Sequence, residues 1–150
     1  MKAAEATPIS TANSTPQILA FAEKTRVAAL GRPYKFGGTT LSGFDCSGFV
    51  VYVFDKIFGA GNPPRITAEG LYRSHLFKPI TGKPQPGDLI FFSDDGRTAS
   101  HVAIMANNNQ FIGSQSSTGV AYVHLNNPYW RPKILGYRRW AGPPSKRPPP

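Results

Sequence analysis

Apolar positions follow a helical period in the first half of the chain and a strand period in the second half. The helical spacing predicts helices over 16–30 and 46–58 and a short third helix over 67–76. Gly31 and Gly59 stand where the first two helices are expected to end, because glycine readily adopts the left-handed conformation that follows many helices. The first half of the chain is therefore predicted to be largely helical.

Beyond Pro86 and Gly87 the apolar residues alternate with polar ones, which is typical of strands. Turn-prone segments separate the alternating runs, among them 107–109 and 117–119. Five strands are predicted, over 88–93, 101–106, 110–115, 120–125 and 134–140. Because helices come first and an antiparallel meander follows, the expected fold class is α+β, with N-terminal helices packed on a sheet of about five strands, rather than a doubly wound sheet.

The two ends of the chain differ in composition from its middle. Residues 1–15 are small and polar and are expected to form a flexible arm. Residues 142–150 are rich in proline, which removes backbone donors, so they are expected to form a disordered tail. A single folded domain is therefore expected over 16–141, which suits a chain of 150 residues.

The chain carries 17 basic and 8 acidic residues, a formal net charge of +9. Such a charge suggests an anionic partner, namely nucleic acid, an acidic membrane surface or an anionic polymer. The basic residues are scattered apart from short clusters at 131–133, 138–139 and 146–147, so a solvated basic surface explains the charge equally well. Specific binding of nucleic acid is not expected, because the sequence contains no recognition helix, zinc module or aromatic ribonucleoprotein motif.

No run of the sequence approaches the roughly 18 apolar residues that a membrane-spanning helix needs, so no transmembrane segment is predicted. The N-terminal residues lack the apolar core of a signal peptide. If the protein acts outside the cytoplasm, we therefore expect either that a leader has been removed or that another machine exports the protein.

Cys46 is the only cysteine of the chain, so no disulfide can form within it. It stands at the start of the predicted helix over 46–58, where unpaired N–H groups and the helix dipole favour the reactive thiolate. Asp45 is a suitable N-cap, and Gly43 leaves the approach to the thiol open. Cys46 is therefore a candidate nucleophile, although a lone cysteine is also commonly a small buried hydrophobic residue.

A cysteine nucleophile needs a base, and the chain offers His75, His101 and His124. His75 lies in the short predicted helix and His124 in a late strand, where surface or pocket-edge positions are expected. His101 opens the strand that precedes the turn at 107–109, and its neighbours on the same face of the sheet leave it room. If that turn is symmetric about its central residue, Gln115 lies opposite His101.

Directly opposed side chains on one sheet face have Cβ atoms about 4.5–5.5 Å apart, so the Gln115 amide can hold one ring nitrogen of His101 while the other faces the thiol. This arrangement predicts a catalytic triad of Cys46, His101 and Gln115. A bulge in the hairpin would bring Ser114 or Ser116 across instead. No metal and no cofactor are expected, because one cysteine and three scattered histidines lack the spacing of metal ligands.

Six short runs of the sequence follow one another in a recognisable order. They are PYKFGG (33–38), DCSGFV (45–50), PRITAEGLY (64–72), PGDLIFF (86–92), HVAIM (101–105) and FIGSQSSTGV (111–120). Together they resemble the successive motifs of the NlpC-type cell-wall peptidases, a papain-like family, over roughly residues 20–140.

The resemblance implies a papain-like fold and hydrolysis of an amide bond in the peptide stems of bacterial peptidoglycan. In the family the bond is commonly the one between D-glutamate and diaminopimelate, and it is cut through an acyl-enzyme. The resemblance also implies that Cys46 is the nucleophile and His101 the base, and that Tyr34 is the family tyrosine that lies beside the thiol.

Further site residues follow from the same resemblance. Asp45 and Ser47 match flanking positions that help to hold the substrate, and Arg65 matches a recurrent arginine. One position departs from the family pattern: Gly113 stands where members usually carry a second histidine, twelve residues after the first. Gln115 is the replacement that the predicted hairpin geometry offers for the orienting group.

The sequence thus predicts a peptidoglycan hydrolase, a cysteine endopeptidase or amidase that binds stem peptides in the periplasm or cell wall, and a monomer. The alternative is a catalytically inactive module that binds the cell wall. The biological setting stays open between an antibacterial effector, a phage enzyme and the catalytic part of an exported housekeeping enzyme. An effector would need an inhibitor, or immunity, protein in its producer.

Overall fold

The computed structural model of the protein describes residues 14–143. Its helices are α1 (Thr15–Ala28), α2 (Cys46–Phe58) and α3 (Ala68–Arg73). Its strands are β1 (Thr39–Thr40), β2 (Gly43–Phe44), β3 (Phe77–Pro79), β4 (Leu89–Phe92), β5 (His101–Met105), β6 (Gln110–Gln115), β7 (Gly119–His124) and β8 (Ile134–Trp140). Of the predicted arm and tail, residues 1–13 and 144–150 lie outside the described residues, and Thr15 already belongs to α1.

Within the described residues, six strands form the main antiparallel sheet in the order β3–β8–β4–β5–β6–β7, and β1 pairs with β2 in a small separate sheet. This confirms the α+β class, but the prediction of about five strands missed β3. That edge strand is short and contains Pro79, so it shows little strand pattern. The sheet is also more than a meander, because β8 returns past β7 to pair with β4 on one side and β3 on the other.

The helices lie close to their predicted positions. α2 has the predicted bounds, α1 begins and ends slightly earlier than expected, and α3 ends at Arg73. α3 is shorter than predicted because Ser74 has an extended backbone, and because the carbonyl of Leu76 accepts hydrogen bonds from the N–H groups of Ala141 and Gly142. The residues that follow α3 thus belong to the edge of the sheet.

Both faces of the main sheet are covered. One face packs on the helices, and its buried strand residues include Leu89, Phe91, Val102, Ile104 and Ile112. The other face carries a smaller buried cluster that includes Ile90, Phe92, Ala103, Met105 and Phe111. β4 and β5 are consequently buried along their whole length, which places them in the centre of the molecule.

Within residues 14–143, none of the helices has the length and apolar character to cross a membrane.

Candidate active site

Asp45 holds the first turn of α2. Its carboxylate accepts hydrogen bonds from the backbone N–H groups of Gly48 (2.7 Å) and Gly37 (3.0 Å), so it caps the helix and ties the preceding loop to it. A Cβ at residue 48 would collide with the carbonyl oxygen of Gly38, so this close approach requires glycine. Because Cys46 directly follows the cap, the same contacts position the thiol.

Arg65 joins the two residues that flank Cys46. Its guanidinium donates to both carboxylate oxygens of Asp45 (3.2 and 2.9 Å) and to the hydroxyl oxygen of Ser47 (2.9 Å). Asp45 and Ser47 are buried, whereas 38% of the Arg65 side chain is exposed. The structure therefore brings three predicted substrate-binding residues together, and most of the hydrogen-bonding capacity of Asp45 is used within the protein.

Two contacts hold the Cys46 segment against the start of β5 and the end of β6. The backbone N–H of Val102 is directed at the thiol, and the hydroxyl of Ser114 donates to the carbonyl oxygen of Phe44 (2.8 Å). Val102 directly follows His101 in the chain. The thiol therefore lies beside the residue that carries the predicted base.

Burial raises the pKa of the Cys46 thiol. The N–H groups of Val102, Ser47 and Cys46 itself oppose this rise, as expected at the start of a helix, while the charge of Asp45 adds to it. Burial outweighs the effect of the helix N-terminus on which the sequence argument relied. The thiol is consequently protonated at neutral pH and needs a base before it can attack.

Gln115 contacts the imidazole of His101, with 3.3 Å between its Oε1 atom and the Nε2 atom of the ring. The register of β5 and β6 is the one that a symmetric turn predicts. The alternative of a bulge that brings Ser114 or Ser116 across is therefore wrong, since Ser114 bonds a backbone carbonyl and Ser116 is exposed. Both partners are buried, His101 being 7% exposed and Gln115 1%.

An aromatic ring covers the imidazole of His101. Trp130 stacks on it with ring centroids 4.5 Å apart and an interplanar angle of 28°. Burial lowers the pKa of His101 to about 4, against the hydrogen bond with Gln115, which raises it. The imidazole is therefore neutral at pH 7 and able to accept a proton. The stacking of Trp130 on His101 was not predicted, because Trp130 reaches His101 from a distant part of the chain.

Gly113 leaves the space that Gln115 occupies. A Cβ at residue 113 would lie 2.6 Å from Oε1 of Gln115 and 2.7 Å from Cβ of Ala103. A histidine at this position would therefore displace the Gln115 amide from His101. The departure from the family pattern at Gly113 and the presence of Gln115 are thus two parts of one arrangement.

Tyr34 lies beside the start of α2. Burial raises the pKa of the Tyr34 hydroxyl, and so do the negative charges of Cys46, once its thiol is ionised, and of Asp45. A hydrogen bond with the backbone N–H of Cys46 lowers the same pKa. A polar cleft of about 290 Å³ runs from Tyr34 between the segments 31–34 and 116–119. The cleft thus adjoins the side of the site on which Tyr34 lies.

Comparison with models of known protein families identifies the family of this chain. Residues 31–139 match the model of the NlpC/P60 family. This chain belongs to the NlpC/P60 family. The resemblance seen in the six sequence motifs is thereby confirmed, and the matched NlpC/P60 region contains every residue of the site described above.

Relatives within the NlpC/P60 family include enzymes of the bacterial wall. The chain is 44% identical over 113 residues to the "Probable peptidoglycan endopeptidase LytE" of Bacillus subtilis (strain 168). The aligned region covers 75% of this chain and 32% of that protein. It is 38% identical over 110 residues to the "Murein DD-endopeptidase MepS/Murein LD-carboxypeptidase" of Escherichia coli (strain K12), covering 73% of this chain and 56% of that protein. The chain thus spans only about a third to a half of these relatives.

A solved structure of the NlpC/P60 family has the same fold. It is the crystal structure of a protein similar to a lipoprotein, of the NLP/P60 family, from Staphylococcus aureus subsp. aureus Mu50. The TM-score is 0.70 at 29% sequence identity, and the superposition covers 92% of this chain and 45% of that chain. The helices on an antiparallel sheet are therefore those of an NlpC/P60 domain.

Proposed function

We propose that this protein hydrolyses an amide bond in the stem peptides of peptidoglycan, with Cys46 as the nucleophile and His101 as the base. The observation that carries the proposal is the meeting of three elements: the start of α2, the start of β5 and the end of β6. They bring a buried thiol to the backbone N–H of Val102, the residue after His101, and they hold the neutral imidazole of His101 against Gln115. The wall enzymes among the relatives support the choice of substrate.

The first step is a proton transfer. In the resting protein the thiol of Cys46 is protonated and the imidazole of His101 is neutral, because burial disfavours both charged forms. Gln115 contacts Nε2, so Nδ1 of His101 accepts the thiol proton. The thiolate then attacks the carbonyl carbon of the scissile amide.

Charge that develops on the carbonyl oxygen is met at the start of α2. The backbone N–H groups of this turn point outward from the helix, and the Tyr34 hydroxyl lies beside the Cys46 N–H. The departing amine takes the proton from His101 and leaves an acyl-enzyme. Water then gives a proton to His101 and attacks the thioester, which releases the acid and restores the thiol.

The network around Arg65 has a supporting role in this proposal. Asp45 and Ser47 are buried and bonded within the protein, so they hold the helix start in place. The exposed part of Arg65 and the hydroxyl of Tyr34 are the groups that remain open to the substrate. Arg65 would then pair with a carboxylate of the stem peptide, while Asp45 and Ser47 act through it.

For the scissile bond we propose the amide between D-glutamate and diaminopimelate, on the basis of the family resemblance. The relatives differ in this respect, since the name of the E. coli protein gives it DD-endopeptidase and LD-carboxypeptidase activities. We further propose that the protein acts in the periplasm or cell wall. If its setting is an antibacterial effector, an immunity protein that covers Cys46 is the expected partner.

Digestion of purified sacculi that contain diaminopimelate tests this proposal. We expect new free amino groups on diaminopimelate and fragments that end at D-glutamate, identified by mass spectrometry. Fragments that end at another bond would contradict the proposed bond but not the proposed chemistry. Sacculi that bind the protein and release no new amino groups would instead establish the inactive binding module.

The acid limb of the pH profile provides a second test. Because burial lowers the pKa of His101 to about 4, the imidazole stays neutral well below the usual pH range. We expect kcat/KM on a soluble stem peptide to reach half its maximum near pH 4, as against about 6.5 for an ordinary histidine. A half-maximum near pH 6.5 would contradict the assignment of His101 as a buried base. His124→Ala, at an exposed position, should leave the profile unchanged.

The same pKa of His101 predicts how stability depends on pH. Between about pH 6.5 and pH 4 the unfolded chain binds a proton at His101 that the folded protein does not bind, so folding is weakened as the pH falls. The free energy of unfolding should lose roughly 3 kcal/mol from this group across that range. Denaturant unfolding at several pH values, compared between the natural protein and His101→Gln, measures this contribution.

A further inference from the structure

The amide of Gln115 is bonded at both ends. Its Oε1 atom faces Nε2 of His101 at 3.3 Å, and its Nε2 group donates to Oγ1 of Thr118 at 3.0 Å. The hydroxyl of Thr118 in turn donates to the carbonyl oxygen of Gly119 at 2.8 Å. These contacts form one chain of hydrogen bonds from the surface to the imidazole.

The direction of this chain is determined by its outer end. A threonine hydroxyl has one proton, and the carbonyl of Gly119 can only accept, so the proton of Thr118 points at Gly119. Oγ1 of Thr118 must then accept from its other neighbour, which requires the NH₂ group of Gln115. The carbonyl end of the amide is left for His101.

The orientation of the Gln115 amide in turn selects the tautomer of His101. Since Oε1 of Gln115 only accepts, Nε2 of the imidazole must carry the ring proton, and Nδ1 keeps its lone pair. A reversed amide would present NH₂ to Nε2 and favour the proton on Nδ1. That tautomer cannot take the proton of a thiol through Nδ1.

We propose that Thr118 is a positioning residue for the base: through Gln115 it holds His101 in the tautomer that can accept the Cys46 proton. This inference deepens the proposed function and rests on it. Thr118 reaches neither the thiol nor the imidazole, and acts only by orienting the buried amide that contacts the ring.

The turn that carries Thr118 is well suited to this role. The backbone N–H of Thr118 donates to the carbonyl of Gln115 (3.1 Å), and Gly119 has a φ of 68°, which favours glycine. A Cβ at Gly119 would lie 2.5 Å from the carbonyl oxygen of Arg32, so the turn packs closely on the neighbouring loop. Thr118 itself is exposed while Gln115 is 1% exposed, so a substitution at Thr118 changes the outer end without opening the core.

The test compares Thr118→Val, which keeps the shape but removes the hydroxyl, with Thr118→Ser, which keeps the hydroxyl. The loss of one hydrogen bond corresponds to about a fivefold change in an equilibrium. We therefore expect Thr118→Val to lower kcat about fivefold with little change in KM, and Thr118→Ser to stay within about twofold of the natural protein. Thr81→Val, which removes the hydroxyl of an exposed threonine outside the cleft beside Tyr34, is the matched control.

Nitrogen-15 NMR of the His101 imidazole supplies a readout that does not depend on activity. The natural protein and Thr118→Ser should show the proton on Nε2, and Thr118→Val a mixture of both tautomers. If Thr118→Val is unstable, Thr118→Ala takes its place. The proposal is overturned if the natural protein carries the proton on Nδ1, or if the tautomer and kcat are the same in all variants. If the tautomer shifts as expected but the natural protein cuts no stem peptide, the proposed function fails and the control of the tautomer by Thr118 stands.

Discussion

Replacement of Cys46 by alanine should abolish the release of amino groups from sacculi, a loss on the order of 10⁴-fold or more. The reason is that no other group beside His101 can form the acyl-enzyme, since Cys46 is the only cysteine of the chain. The measurement is amine release together with the mass spectrum of the digested sacculi. The variant should still bind sacculi, because it leaves Arg65 and Tyr34 unchanged.

The fold of Cys46→Ala should be preserved, since the change removes one sulfur atom at the edge of the core and costs about 1 kcal/mol. Circular dichroism and the thermal unfolding midpoint check this point. His75→Ala, at an exposed position away from the site, is the matched control and should keep full activity. Hydrolysis at the natural rate by a folded Cys46→Ala protein would end the proposed mechanism.

Replacement of Asp45 by alanine should have the second largest effect and should reduce both stability and activity. The carboxylate is the N-cap of α2, the anchor of the Gly37 loop and the partner of Arg65. Its loss should lower the free energy of unfolding by about 2–3 kcal/mol, which is less than for a fully buried pair because Arg65 can turn to solvent. The loosened helix start should also misplace Cys46 and lower kcat by about 10²-fold.

The matched control for Asp45→Ala is Asp94→Ala. Asp94 also makes an ion pair, with Lys133 at 2.7 Å, but 68% of its side chain is exposed. Removal of such a surface pair should have little effect on the free energy of unfolding and leave activity unchanged. Denaturant unfolding and kcat measured on both variants separate the two cases. Equal effects of the two substitutions would contradict the role assigned to Asp45.

The sequence predicted the elements that have a strong local pattern. The bounds of α2 follow from an apolar helical run with a capping residue in front and glycine behind, and these signals lie within the segment itself. The register of β5 and β6 follows in the same way from a short turn. β3 was missed because an edge strand with Pro79 has no alternation to show, and α3 was drawn too long because the sheet edge takes over its last residues.

The site was predicted less completely than the fold. The contact of Gln115 with His101 was predicted because a hairpin register is a local feature. The catalytic roles of Cys46 and His101 stay predictions. The stacking of Trp130 on His101 and the contact of Thr118 with Gln115 were not predicted, since they depend on how distant segments pack or on the direction of one hydroxyl. No periodicity or spacing reports either of these.

By itself, the sequence determined the family and the fold class, because these follow from motif order and period. The pairing of Cys46 with His101 stays a prediction from the helix start and the hairpin turn. Only the tertiary structure decided the charge states of that pair. Both groups are neutral at rest because residues from several elements exclude water from them, and that desolvation exceeds the local effect of the helix start. Tertiary packing also explains why glycine stands at position 113. The side chain of Gln115 fills the space beside Gly113 and contacts His101 on the neighbouring strand.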